Sequence, residues 1–145
     1  MQLKKYTDYA LRVLIFTGTK DADQLASIKE ISETFSISQN HLGKIVFELN
    51  KHGYLDTVRG RNGGIRLAKP PEEMNVGEIV RKFEDDFMIM ECFDKSRNQC
   101  VITPACKLKH ALNEAVQAFL QVLDQYTVKD LISNGSQLKR LMGIN

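Results

Sequence analysis

Apolar and polar positions in the first half of the chain fall into three helical blocks, followed by a strand-like pattern. In residues 7–17, TDYALRVLIFT, Ala10, Leu11, Leu14 and Ile15 recur at helical spacing, with Arg12 off that face. Thr7 or Asp8 is the expected cap. Residues 20–24, KDADQ, read as a polar turn. Residues 27–35, SIKEISETF, fit a capping box, with Ser27 three positions before Glu30 and Ile28, Ile31 and Phe35 on one side. The next stretch, SISQNHLGKIVFELNKHGYL, repeats the logic. Ser38 is its cap, Leu42, Ile45, Val46 and Leu49 its buried face, and Gly53 its left-handed stop. Two short helices joined tightly, the second opening on polar residues, predict a helix-turn-helix.

The period then changes. Residues 54–68, YLDTVRGRNGGIRLA, predict a hairpin with strands at Tyr54–Val58 and Ile65–Ala68 and the turn dipeptide Asn62-Gly63. A helix-turn-helix followed by a basic hairpin is a winged helix. Pro70 and Pro71 close this unit, and Asn75 caps a helix reaching about Phe83. Irregular chain follows from Glu84-Asp85-Asp86. From Lys107 a helix of six to seven turns is expected, carrying the stripe Leu108, Ala111, Leu112, Ala115, Phe119, Val122, Leu123 and Tyr126. The tail breaks at Asn134-Gly135 and ends in a short helix.

The expected fold is therefore mainly α with a small β-hairpin wing. Residues 1–83 form a winged helix-turn-helix for DNA and residues 84–106 a cysteine loop. Residues 107–133 form a dimerisation helix and residues 134–145 a tail. The stripe needs cover. A second copy would supply it as a two-fold dimer matching DNA half-sites ~34–36 Å apart. The alternative is that the helix folds back on its own chain.

Charge sharpens the DNA reading. The net charge is +2, but residues 1–70 carry +4 and residues 71–145 carry −2. A basic first half suits a polyanion. Within it, Ser38, Gln39, Asn40 and His41 open the second helix, where such helices meet base edges. Gln and Asn can each bond adenine N6 and N7. Lys44, about one turn on, would reach a phosphate. In the wing, Arg59 and Arg61 flank Gly60, with Asn62 and Gly63 at the tip. Arginines there can enter a minor groove or clamp phosphates.

No apolar run approaches the ~20 residues that span a bilayer. The N-terminus lacks a small-residue cleavage site, so a cytoplasmic protein is expected. The chain's three cysteines, Cys92, Cys100 and Cys106, are spaced C-x7-C-x5-C. An odd number of thiols in a reducing compartment argues against a disulfide framework and for a metal or redox role. Zinc usually brings tighter hooks. A [4Fe–4S] cluster on three thiolates leaves one iron for another ligand, and a [2Fe–2S] cluster falls one ligand short. His110, Asp94, Glu91 or a partner's Asp8 could supply it. Asp8 could also simply pair with Arg12, one helical turn on. The alternatives are a thiol switch without metal, a [2Fe–2S] cluster reporting iron–sulfur supply, and control by a docked protein. Enzymes and electron carriers are disfavoured: there is no nucleotide-binding glycine pattern, and His41, His52 and His110 are dispersed.

The segments YTDYALRVLIF, ISQNHLGKIVFELNKHGYLDTVRGRNGGIRL, NVGEIVRKFEDDF and MECFD…CVITPACKLKHALNEA resemble the Rrf-type winged-helix regulators nearly end to end. The DY-L-R start and the ECF…C…PxC pattern resemble the nitric-oxide-sensing iron–sulfur repressors of that family. The resemblance implies a homodimeric repressor bound to a double-stranded DNA operator. It further implies a [4Fe–4S] cluster on Cys92, Cys100 and Cys106, with nitric oxide as signal. In part of the family an aspartate of the first helix, delivered across the dimer, is the fourth ligand, and Asp8 stands in that position. The genes implied are those of nitrite and nitrate respiration and nitric-oxide detoxification.

Overall fold

The computed structural model describes residues 1–145. Helices α1 (Lys5–Thr19), α2 (Ile28–Phe35) and α3 (Gln39–Lys51) precede an antiparallel hairpin of β1 (Leu55–Val58) and β2 (Gly64–Leu67). Then come α4 (Val76–Phe83), an irregular segment, α5 (Lys107–Leu123), the one-turn α6 (Val128–Leu131) and α7 (Gly135–Met142).

The local signals formed the expected elements. Ser27 and Glu30 exchange the two hydrogen bonds of a capping box at α2. Burial pushes the Glu30 carboxyl up, but the Lys20 ammonium and the Ser27 N–H together hold it below its usual range. The Ser38 hydroxyl accepts from the His41 N–H, and the Asn75 side chain accepts from the Glu78 N–H. Gly53 follows α3 with φ +79°. Ala10, Val13, Leu14 and Phe16 of α1 pack with Ile31, Leu42, Ile45 and Leu49 into one core. Apart from Ala10, each such side chain contributes about 1.5–3 kcal/mol when fully buried.

Three expectations are corrected. Neither Thr7 nor Asp8 caps α1, which begins earlier, after Lys4, with no side-chain cap of its own. Thr7 is buried and Asp8 faces Arg12. The wing turn is not centred on Asn62-Gly63. Five residues separate the strands, and Gly60 takes the positive φ, +107°, while its carbonyl accepts from the Gly63 N–H at 3.0 Å. Gly63 is needed for space instead, because a Cβ there would fall on the Val58 carbonyl oxygen. The wing also gains an unforeseen bridge from Ala26 to Ile65, so the segment before α2 pairs with β2.

The long helix is the third. It ends at Leu123, after 17 residues, because Thr127 and Asp130 form a second capping box that opens α6. The chain there turns back onto the head. The Val76 N–H donates to the Tyr126 carbonyl at 2.9 Å, and the Val128 N–H donates to the Met74 carbonyl at 2.9 Å. Val128 is fully buried in the head's core, and Met142 and Ile144 pack against it.

Candidate nucleic-acid interface and cysteine loop

The amphipathic division of α3 builds the first surface. Leu42, Ile45, Val46 and Leu49 face the core, so Gln39, Asn40 and Lys44 are left exposed on the other side. Ser38 is exposed, and its oxygen is engaged as the cap, which leaves its hydroxyl proton to donate. His41 is placed differently from Gln39 and Asn40. Its half-buried ring stacks on Tyr6 at 6.2 Å and meets the edge of Tyr9 at 5.3 Å. It thereby fixes the start of α3 against α1. The Tyr6 hydroxyl donates to the Lys44 carbonyl at 3.4 Å. Burial, and then the charge of Glu48, raise the Tyr6 phenol above its usual value, so it stays a donor. Phe47, exposed on the same face of α3, was not anticipated.

On the wing Arg59, Arg61 and Asn62 are exposed, while Gly63 is partly covered. The arginines of the chain that form ion pairs are Arg12, Arg66, Arg81 and Arg97. Arg59 and Arg61 pair with no carboxylate, which leaves both guanidinium groups available to an anion.

The second surface centres on the three cysteines, all free thiols. Cys92 is buried, and Cys100 and Cys106 are half-buried. No three His, Cys, Asp or Glu side chains converge as a single metal ion requires. A cluster spreads its ligands more widely than one ion does, and free thiols are the soft donors that iron–sulfur clusters take.

Asn98 braces Cys100. Its carbonyl accepts from the Cys100 N–H at 3.0 Å while its amide donates to the Thr103 hydroxyl at 2.9 Å. The Asx signal two residues before Cys100 was legible and overlooked. Asp94 is spent locally. The Ser96 hydroxyl donates to the Asp94 Oδ1 at 2.6 Å and the Ser96 N–H at 2.9 Å, which together hold the carboxyl below its usual range. Asp8 is half-exposed in the first turn of α1, and both its oxygens accept from Arg12, at 2.6 and 3.0 Å.

Glu84 and Asp85 tie the cysteine loop to that turn. One Glu84 oxygen accepts from the Lys4 N–H at 2.8 Å and from the Thr7 hydroxyl at 2.7 Å, and Asp85 pairs with the Lys4 ammonium.

The stripe on α5 divides. Val116 and Leu120, absent from the expected set, are buried on Val76 and Val80 of α4, and Phe119 and Leu123 pack against them. Leu112 is half-buried. Leu108, Ala115, Val122 and Tyr126 remain exposed, so folding back covers only part of the apolar surface. An apolar hollow of about 550 Å³ lined by Leu3, Phe87, Ile89, Ala115 and Phe119 adjoins this face. Val101 and Ile102, in the cysteine loop, are also exposed.

Comparison with known proteins agrees with this arrangement. Residues 3–134 match the Rrf2 family model, described as an iron-dependent transcriptional regulator. The chain is 59% identical over 144 residues to the HTH-type transcriptional regulator NsrR of Oceanobacillus iheyensis, covering 99% of this chain and 98% of that one. Among solved structures it is similar to the oxidised form of Staphylococcus aureus CymR, with TM-score 0.72, 27% identity and coverage of 90% and 95% of the two chains. It shares its fold with T. potens IscR at TM-score 0.75 and 21% identity, covering 96% of this chain and 91% of that one. These relatives are regulators rather than enzymes, and no helix here is long and apolar enough to cross a membrane. The chain is a winged helix-turn-helix transcriptional regulator and belongs to the Rrf2 family.

Proposed function

We propose that the protein is a homodimeric repressor whose grip on a double-stranded DNA operator is governed by an iron–sulfur cluster responsive to nitric oxide. The division of α3 carries the DNA part. One face is buried, and the other presents Gln39, Asn40 and an unpaired Lys44 beside two unpaired wing arginines. Two copies, paired through Leu108, Ala115 and Val122 of α5 and Tyr126 just beyond it, set their α3 helices in successive major grooves.

The sensing part rests on three free thiols in a loop whose start is hydrogen-bonded to the helical turn carrying Asp8. Cys92, Cys100 and Cys106 would hold a [4Fe–4S] cluster, with Asp8 of the second copy as the fourth ligand. When bound, the cluster supplies iron that combines with nitric oxide. The chain's own residues relay the change. Asp8 serves either iron or Arg12, and Glu84 links the loop to the head, so a loosened loop frees α1 and the spacing of the heads. A shift of ~1.4 kcal/mol in that spacing equilibrium changes occupancy tenfold.

The test is iron and sulfide content with an absorbance spectrum, on protein purified without oxygen, followed by operator binding during nitric-oxide titration. About four irons per chain are expected for a cubane, with loss of binding as nitric oxide is added. Full operator affinity after complete nitrosylation refutes the sensing mechanism. A second reading, a metal-free thiol switch, is favoured by the likeness to a regulator crystallised in an oxidised form. It predicts a colourless, iron-free protein that binds DNA and releases it on oxidation.

A further inference from the structure

Two residues on the outward face of α3 depart from what stability alone would select. Phe47 leaves 67% of its surface in water, the one phenylalanine among the exposed large apolar side chains. Gly43 lies one turn earlier, in the helix interior, where glycine is unfavourable relative to alanine. A Cβ at Gly43 would meet nothing within 4 Å, and its φ is not positive, so nothing inside the chain requires glycine there. Both residues line one shallow hollow with Gln39, Asn40 and Lys44. The face thus runs from base-reading amides, past a turn with no side chain, to a bare aromatic ring.

We propose that Phe47 packs on the C5-methyl group of a thymine in the operator half-site, and that Gly43 lets the helix backbone settle close enough for the ring to reach it. The inference rests on the DNA-binding reading above and adds a base to it. The thymine methyl is the apolar group that the major groove displays, and phenylalanine is one of the side chains that match it. The surroundings suit DNA rather than a protein partner, because Lys44 and the wing residues Arg59 and Arg61 carry unpaired positive charge. Gln39 and Phe47 are separated by about 12 Å along the helix at ~1.5 Å per residue. That is three to four base-pair steps of ~3.4 Å. An adenine read in the first turn and a thymine read at Phe47 therefore fit one half-site.

The probe is a duplex enriched from a random-sequence pool by the wild-type protein under anaerobic conditions. Each dT is replaced in turn by dU, which removes only the methyl group. Wild type is expected to lose about fourfold in affinity at one thymine per half-site, the value of one buried methyl. Phe47→Ala should bind the dT duplex more weakly and be indifferent to dU at that position, while Phe47→Leu keeps the sensitivity. Gly43→Ala should melt higher than wild type yet bind more weakly. If Phe47→Ala retains full dU sensitivity, or wild type shows none, the proposal is overturned while DNA binding stands. If Phe47→Ala changes the mass of the particle in sedimentation without altering dU sensitivity, the ring belongs to a protein contact and the proposal also falls. A pool that yields no duplex defeats the DNA-binding reading and this one with it.

Discussion

Replacing Glu84 by alanine removes one carboxylate oxygen that serves two donors at the start of α1. The Thr7 hydroxyl, in a residue with no exposed surface, is left without its acceptor, and the Lys4 N–H loses the group that stands in for a helix cap. An orphaned buried hydroxyl costs about 1–3 kcal/mol and a lost cap about 1 kcal/mol, for a total of about 2–4 kcal/mol. For a chain of this size that lowers the melting temperature by roughly 4–16 °C. Glu84→Gln keeps an acceptor and should lose much less. Thr7→Val removes the hydroxyl that would be orphaned, so the Thr7→Val/Glu84→Ala double variant should be less destabilised than the two single variants summed. Thermal melts measure the cycle, and hydrogen exchange at residues 5–9 locates the effect. If Glu84→Ala melts with wild type, or the two substitutions add without coupling, Glu84 does not hold α1 and the loop is not tied to the Asp8 turn in this way.

Gly77→Ala would place a methyl on Asp124 Oδ1 and push apart the Arg81–Asp124 pair, costing about 1–3 kcal/mol in urea unfolding; an unchanged midpoint would show that α5 can shift freely. Arg59→Ala and Arg61→Ala should each reduce the slope of log affinity against log salt by about 0.9, if each arginine neutralises one phosphate. A slope equal to wild type would place the wing off the DNA. The hydrogen bond from Arg81 lowers the Asp124 carboxyl below its usual value. A group whose pKa falls on folding adds stability above its unfolded value of ~3.9 and loses it as the pH drops through the lower folded value. Asp124→Asn should therefore flatten that part of the acid-unfolding curve, and an unaltered curve would show that the pair contributes nothing.

Signals confined to a few neighbouring residues were readable in the sequence. Ser27 with Glu30, Ser38, Asn75 and Gly53 marked helix ends because a cap is satisfied within three or four positions. Thr7 misled because its partner, Glu84, is 77 positions away and leaves no local trace. The aromatic contacts of His41 were not legible, because the rings that hold it belong to α1. The apolar period running through Tyr126 suggested one helix, although Thr127 and Asp130 spelled a new start that periodicity alone hides. The recognition face of α3 was legible as polar, yet Phe47 was passed over because an apolar residue on a helix is first assigned to the core. At the cysteine loop the sequence names three thiols as candidate donors. The arrangement of those donors depends on Asn98, Thr103 and the packing of Phe87 and Phe93, which spacing does not encode.

The return of the chain after Tyr126 has a mechanical consequence. The cysteine loop and α5 form a single excursion, and both its ends are fastened to the head side by side, through the Asn75–Thr127 bridge and the Val76–Tyr126 hydrogen bond. Such a segment cannot swing like an arm on one hinge. It behaves like a bow strung at both tips, which transmits a change in its middle as tension on the head. Ending the chain at Leu123 would slacken it, and would also withdraw Val128 from the core on which the DNA-reading helices rest.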